Sequence, residues 1–333
     1  MTTKTDSLQC PVCGEPADPS HLGCEACGAD LHAPASAAGH WLSSAAPETP
    51  CAECGSTNID THGYCGGCGK RQTRTSDRTE LDLSAIGAAT DFGKRHHYNQ
   101  DAMAIGRYDD IITGVVCDGV SSSTFGELAA LAAAEAGIAE TLAALTDGQP
   151  VDQAALAAVT AAGQAASDAG VRHPDNPPSC TYVSAILDAR GIHLTWIGDS
   201  RAYWVTPDRG YCLTVDDSHT GRLAAMGVPA DDERYRTPYA NALLAWLGSD
   251  APKLEPNTRT VLPEQPGLLV VCSDGLSGYL ESDDHLAQLI DETASCTRIA
   301  SSLTDWARRC GGRDNISVIV ARFPSTAQEV PSP

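Results

Sequence analysis

Three short β-branched runs, each meeting an aspartate at one end, constrain this 333-residue chain most. Ile111-Ile112-Thr113-Gly114-Val115-Val116-Cys117 stops at Asp118-Gly119, and Leu268-Leu269-Val270-Val271-Cys272-Ser273 stops at Asp274-Gly275. Gly312-Arg313-Asp314-Asn315 instead opens the run Ile316-Ser317-Val318-Ile319-Val320. Apolar runs this short, bounded by turn residues, read as strands covered on both faces. Each puts a carboxylate at the rim of a core. Any one of them alone is adequately explained as a turn residue, because Asp and Gly tolerate turn backbones. If the strands converge, three like charges face one point, and that arrangement needs cations between them.

Length leaves room for a large domain plus something small. Lysine and arginine total 22 against 43 acidic residues, a net charge of -21. Such a surface repels phosphate backbones, which makes nucleic acid a poor partner. The start, Met1-Thr2-Thr3-Lys4-Thr5-Asp6, lacks the apolar stretch of a signal peptide, and no window reads as a membrane span. The expectation is a soluble cytoplasmic protein without a membrane partner.

Eight of the 14 cysteines lie within the first 68 residues, as four Cys-x-x-Cys-Gly units. They are Cys10/Cys13, Cys24/Cys27, Cys51/Cys54 and Cys65/Cys68, and the second half repeats the first at an offset of 41. A tetrahedral zinc shell explains the pattern: each knuckle turns two thiolates toward one point, glycine relieves the turn, and two knuckles close a four-sulfur site. Disulfides would need an oxidising compartment, and a thioredoxin-like pair needs a single motif in a βαβ setting. His21 and His62 occupy matching places but are surplus to a four-sulfur shell. Two structural Zn²⁺ ions are therefore expected in a double ribbon, residues 1–75. Its halves span 8–32 and 49–72, joined by a linker at 33–48 where Trp41 is the one candidate anchor. Closed sites do no chemistry, so the ribbons should bind a protein partner or hold the chain together.

Past a polar hinge at 76–80, a first strand is expected at 83–88. Two alanine-rich helices follow at 126–145 and 152–169, with Asp152 as N-cap and Gly170 as the stop. A hairpin turning at Ala189-Arg190-Gly191, helices at 283–293 and 296–309, and a last strand complete a pattern of packed sheets with helices outside. Cys117 and Cys272 read as small buried hydrophobes. No Gly-x-Ser-x-Gly elbow and no ATP-binding P-loop occurs.

The order of short motifs carries a resemblance. Asn99-Gln100-Asp101-Ala102, Val116-Cys117-Asp118-Gly119-Val120, Ser179-Cys180-Thr181, Gly198-Asp199-Ser200-Arg201-Ala202-Tyr203, Ser273-Asp274-Gly275-Leu276 and Asp314-Asn315-Ile316-Ser317 follow one another. This series resembles the protein phosphatase 2C family, the metal-dependent Ser/Thr phosphatases, over residues 81–323. The fold it implies is α+β: a four-layer αββα sandwich of two antiparallel β-sheets flanked by helices, here preceded by two small zinc ribbons. The cofactors it implies are two Mn²⁺ or Mg²⁺ ions, with Asp199 in the place of the ligand of a weaker third ion. By the same resemblance Asp118 bridges both metals, the Gly119 carbonyl binds the second, and Asp274 and Asp314 complete the first. Asp101 holds metal waters and Asn315 braces the last carboxylate. Oxygen shells of this kind suit magnesium and manganese. The implied chemistry is a metal-activated water attacking phosphorus in line, with no phosphoenzyme.

Two positions depart from the family pattern. The place of the usual phosphate-binding arginine is taken by His96, with Arg95 one residue early; either is a candidate, and imidazole loses the bidentate fork. The usual paired glycines after Asp118-Gly119 are Ser121-Ser122-Ser123, whose β-carbons limit close approach. Residues 208–256 match the family's flap, and the proline-rich tail at 324–333 reads as disordered. The expected function is a phosphoprotein phosphatase opposing a Ser/Thr kinase. The competing reading is a pseudophosphatase that keeps fold and metals as a binding module.

Overall fold

The computed structural model describes residues 8–9, 16–17, 39–45, 50–59, 64–70, 72, 77–229 and 231–323. Cys10, Cys13, Cys24, Cys27, His21, His62 and the tail lie outside the described residues. Leu8–Gln9 (β1) and Pro16–Ala17 (β2) pair antiparallel.

The rest is built on two six-stranded antiparallel sheets. The first contains His40–Ser43 (β3), Ala102–Tyr108 (β6), Ile111–Cys117 (β7), Tyr182–Asp188 (β9), Gly191–Ile197 (β10) and Asn257–Val261 (β14), in the order β14-β10-β9-β7-β6-β3. The second contains Arg78–Asp82 (β4), Ile86–Asp91 (β5), Arg201–Val205 (β11), Gly210–Cys212 (β12), Gly267–Cys272 (β15) and Ile316–Phe323 (β16), in the order β12-β11-β15-β16-β5-β4. Ser179–Cys180 (β8) and Leu247–Gly248 (β13) form a separate small ladder.

Inner faces of both sheets meet in one apolar layer that includes Met103, Ile105, Val116, Leu194, Val271 and Ile319. The outer face of the first sheet is covered by Gly126–Thr146 (α1) and Val151–Ala169 (α2), and that of the second by Cys296–Cys310 (α6). Alanines along α1, such as Ala129, Ala130, Ala133 and Ala134, are buried, which lets helix and sheet backbones approach closely. The expected four-layer arrangement is the one observed. Three short helices, His219–Ala225 (α3), Asp274–Ser277 (α4) and His285–Leu289 (α5), complete it.

Several expectations need correction. The first strand is two strands, β4 and β5, folded about a turn in which Ser84 has a φ of 63°. The helix expected at 283–293 shortens to the five residues of α5. Pro150 caps α2, so Asp152 lies in its first turn. Helix α1 is long and apolar enough to cross a membrane by length and composition, contrary to the sequence reading, and its buried face packs on the first sheet.

The segment taken for the inter-ribbon linker also differs. Its residues 40–43 form edge strand β3 on β6, with Trp41 opposite Gly106. Ser44 N donates to the Met103 carbonyl at 2.9 Å and Ser44 Oγ accepts from Met103 N at 3.0 Å. Trp41 is partly buried against the α1 layer, and Ser43 Oγ donates to Glu135 Oε1 at 2.8 Å. The polar composition around this strand hides it, because its partner lies some 60 residues away in sequence.

Candidate active site

Strand direction explains why the aspartates sit on different sides of their strands. β15 and β16 run antiparallel with Cys272 opposite Val318, so Asp274, after β15, and Asp314, before β16, reach the same end of the sheet. β11 pairs with β15 through Arg201 and Cys272, which brings the Asp199 turn to that end. In the facing sheet, Ala102 lies opposite Cys117, so Asp101 and Asp118 are neighbours. Five carboxylates from both sheets thus gather at one rim.

A cavity of about 500 Å³ opens there. Asp118, Gly119, Asp199, Asp274 and Asp314 line one part, and the serine triplet, Asn176, Trp246 and Asp250 line the rest. Asp101 lies behind it, 7 % exposed.

Hydrogen bonds position Asp118 and Asp101. Asp118 N donates to Thr181 Oγ1 at 3.0 Å, Thr181 N donates to the Asp118 carbonyl at 2.8 Å, and Thr181 Oγ1 lies 2.7 Å from Ser200 Oγ. Ser273 Oγ donates to Asp101 Oδ2 at 2.8 Å and accepts from Ser317 N at 3.0 Å. Asn315 does more than brace its neighbour, whose Oδ1 accepts the Asn315 backbone N–H at 2.9 Å. Its side chain accepts from Gln100 N and donates to the carbonyls of Phe92 and Tyr98, pinning the loop that carries Asp101. Gly119 leaves no room for a side chain, since a Cβ would stand 2.7 Å from the Gln100 carbonyl oxygen and 2.8 Å from Gly126 C.

Electrostatics show that the cluster is poised for cations. Burial, followed by the Asp101 and Asp274 charges, pushes the Asp118 carboxyl well above the usual range. Burial pushes Asp101 up to about 7, against hydrogen bonds from Ser273 and Ser317 and with Asp314 and Asp274 adding repulsion. Asp199 is pushed up to about 7 by burial and then by Asp274. Asp274 rises to about 6 through burial and then Asp314, while a hydrogen bond with Asp118 opposes the shift. Oδ1 of Asp101 and Oδ1 of Asp274 are buried without a hydrogen-bond partner among the described residues. Such orphan oxygens are costly unless something positive meets them. The donor set therefore fits hard divalent cations, with Asp101, Asp118, Asp199, Asp274, Asp314 and the Gly119 carbonyl as the available oxygens.

Linkage gives the sign of a testable effect. Without cations these carboxyls bind protons more tightly folded than unfolded, where they titrate at the ordinary 3.8, so folding stability falls as pH rises from about 4 toward about 7. Mn²⁺ removes that penalty by displacing the protons. We expect Mn²⁺ to raise Tm more at about pH 7.5 than at about pH 5, with proton release on binding. Equal shifts at both pH values would contradict the assignment.

Of the two phosphate-binding candidates, the structure brings His96 to the cluster. Its Nε2 lies 3.1 Å from Asp314 Oδ1, whereas Arg95 is exposed, and neither residue lines the cavity. Sequence reasoning missed the part played by Arg201, which grips Asp216 through Nε–Oδ1 at 2.8 Å and Nη2–Oδ2 at 2.7 Å. Asp217 accepts from Gly198 N at 3.0 Å and from Asn257 Nδ2. These bonds fasten the root of the 208–256 excursion to the Asp199 turn. The adjacent acids Asp216-Asp217 were the only hint.

Among the described residues, Cys51, Cys54, Cys65 and Cys68 form the one group of three or more ligand atoms that all lie within 4.8 Å of one another. Gly55 and Gly69, at φ 72° and 74°, supply the left-handed turns that the knuckle pattern requires. The Cys68 amide, with that of Gly67, draws the Cys65 thiol down to about 6.

A two-sheet sandwich with five aspartates and orphan carboxylate oxygens at one rim defines a carboxylate-rich divalent-cation protein. The family model described as Protein phosphatase 2C matches residues 93–308, and the chain belongs to that family. It is 32 % identical over 212 residues to the serine/threonine protein phosphatase PstP of Mycobacterium tuberculosis, a match covering 62 % of this chain and 39 % of PstP. The chain thus spans about two-fifths of the length of the curated relatives it matches. Among solved structures, the S. agalactiae serine/threonine phosphatase shares the fold at TM-score 0.61 and 23 % identity, covering 72 % of this chain and 99 % of that one. The catalytic domain of PstP in complex with 2 manganese ions matches at TM-score 0.56 and 25 % identity, over 71 % and 96 % of the two chains.

Proposed function

We propose that this chain is a metal-dependent protein serine/threonine phosphatase that hydrolyses phosphoserine and phosphothreonine in the cytoplasm and opposes a Ser/Thr kinase. The observation that carries the reading is the set of proton-hungry carboxylates gathered at one cavity, two of them with buried orphan oxygens. Asp118, Asp274 and Asp314, with Asp101 and the Gly119 carbonyl, would hold two Mn²⁺ or Mg²⁺ ions, and Asp199 a weaker third. Bound there, the ions would lower the pKa of a water and screen the charge of the phosphoryl group. Thr181 and Ser273 keep Asp118 and Asp101 from turning away. His96, beside Asp314, supplies a donor at the cluster's edge, where a single imidazole N–H replaces the fork of an arginine.

The competing reading is a pseudophosphatase that uses the same carboxylates to hold ions in a binding module. The two separate on para-nitrophenyl phosphate: Mn²⁺-dependent turnover supports the enzyme, and bound Mn²⁺ without turnover supports the binding module.

For the cysteine half, we propose one structural Zn²⁺ on Cys51, Cys54, Cys65 and Cys68. Through the 41-residue repeat, a second is assigned to Cys10, Cys13, Cys24 and Cys27. The ribbons would localise or regulate the phosphatase through a protein partner. Cys51→Ser is expected to lower zinc content from two to one per chain by atomic absorption and to leave phosphate release intact. A proportional loss of both would show the halves to be coupled.

A further inference from the structure

The cavity is larger than a phosphate needs, and its far wall is chemically unlike its metal end. No Lys, Arg or His lines it. Once cations compensate Asp118, Asp199, Asp274 and Asp314, Asp250 is left as the lining side chain whose charge nothing offsets. Trp246 Nε1 donates to Asp250 Oδ1 at 3.0 Å and Ser179 Oγ donates to the same oxygen at 3.2 Å. Both donors are neutral and both use one oxygen, so an asparagine would satisfy them equally well. Oδ2 has no hydrogen-bond or ion-pair partner among the described residues, and Asp250 is exposed. Its structural bonds therefore explain its position and leave its charge unexplained.

Position is set tightly. Gly248 pairs with Ser179 and Leu247 with Cys180, so the β8–β13 ladder holds Asp250 beside the chain that continues to Thr181 and the Asp118 turn. Trp246, half-buried in the same wall, presents an indole against which a flat cation can stack.

We propose that Asp250 and Trp246 form a subsite for an arginine side chain flanking the phosphorylated residue of the substrate. Arginine fits better than lysine because its planar fork meets the carboxylate while its face lies on the indole. This deepens the phosphatase reading and rests on it only for the identity of the ligand as a phosphopeptide.

The test uses the full chain with Mn²⁺ and fluorescent peptides whose phosphothreonine is replaced by a non-hydrolysable phosphonate, carrying Arg or Glu at −3, −2, +2 or +3. The parent is expected to bind the best Arg peptide roughly tenfold more tightly than its Glu counterpart at low salt. Asp250→Asn, which keeps both hydrogen bonds, brings that ratio close to one, and Asp250→Lys inverts it. A parent without preference, or an Asp250→Lys protein that still favours Arg, overturns the subsite. Hydrolysis of the corresponding phosphothreonine peptides is read in parallel. Preference without hydrolysis sinks the enzyme reading and keeps the subsite, while hydrolysis without preference does the reverse.

Discussion

Asp118→Asn lowers Mn²⁺-dependent phosphate release by about 10²–10³-fold, the scale on which loss of one preorganised electrostatic group raises a barrier. The variant keeps the shape of the side chain and the backbone bonds of residue 118 to Thr181, so it folds. It also removes a charge that repels Asp101 and Asp274. Without added metal at about pH 7.5 the variant is therefore expected to melt higher than the parent, and its Tm to gain less from Mn²⁺. This pair of opposite changes separates a metal ligand from a residue that merely supports the fold, whose loss would lower Tm under both conditions. Parent-like activity would remove Asp118 from the mechanism.

Asn315→Ala is expected to cost about 3 kcal/mol of stability, because one buried N–H and two carbonyls lose their partners together. Asn315 is 2 % exposed and, just before β16, clasps three backbone groups of the Asp101 loop. Activity falls as well, since Asp101 is carried by that loop. Denaturant unfolding measures the first effect and Mn²⁺ titration of phosphate release the second. A variant of parental stability with weakened Mn²⁺ affinity would limit the role of Asn315 to the metal end.

The three acids Asp118, Asp274 and Asp314 were legible because each stands at one end of a β-branched run, a local signal that needs no knowledge of the partner strand. Their convergence was only conditional in sequence, since whether Asp274 and Asp314 meet depends on the antiparallel register of β15 and β16. The ribbon spacing was legible for the same reason: a zinc shell imposes its geometry on neighbouring residues. Features made by distant pairing were not. Strand β3 has four residues in a segment rich in alanine and serine, and the approach of His96 rather than Arg95 to Asp314 follows from packing and not from order along the chain. Thr181, Ser200, Ser273 and Ser317 look like ordinary strand-end polar residues, and their hydrogen bonds across the site follow only from the folded arrangement. Asp250 is inconspicuous in sequence for a similar reason, its meaning depending on Ser179, 71 residues earlier.

The most direct measurement is the initial rate of phosphate release from a phosphothreonine peptide as Mn²⁺ is added to chelator-stripped protein. A rate that climbs from near zero, saturates, and returns to near zero with excess chelator is the result expected. Release that is indifferent to the chelator would contradict the central claim, as would none at all with Mn²⁺ bound.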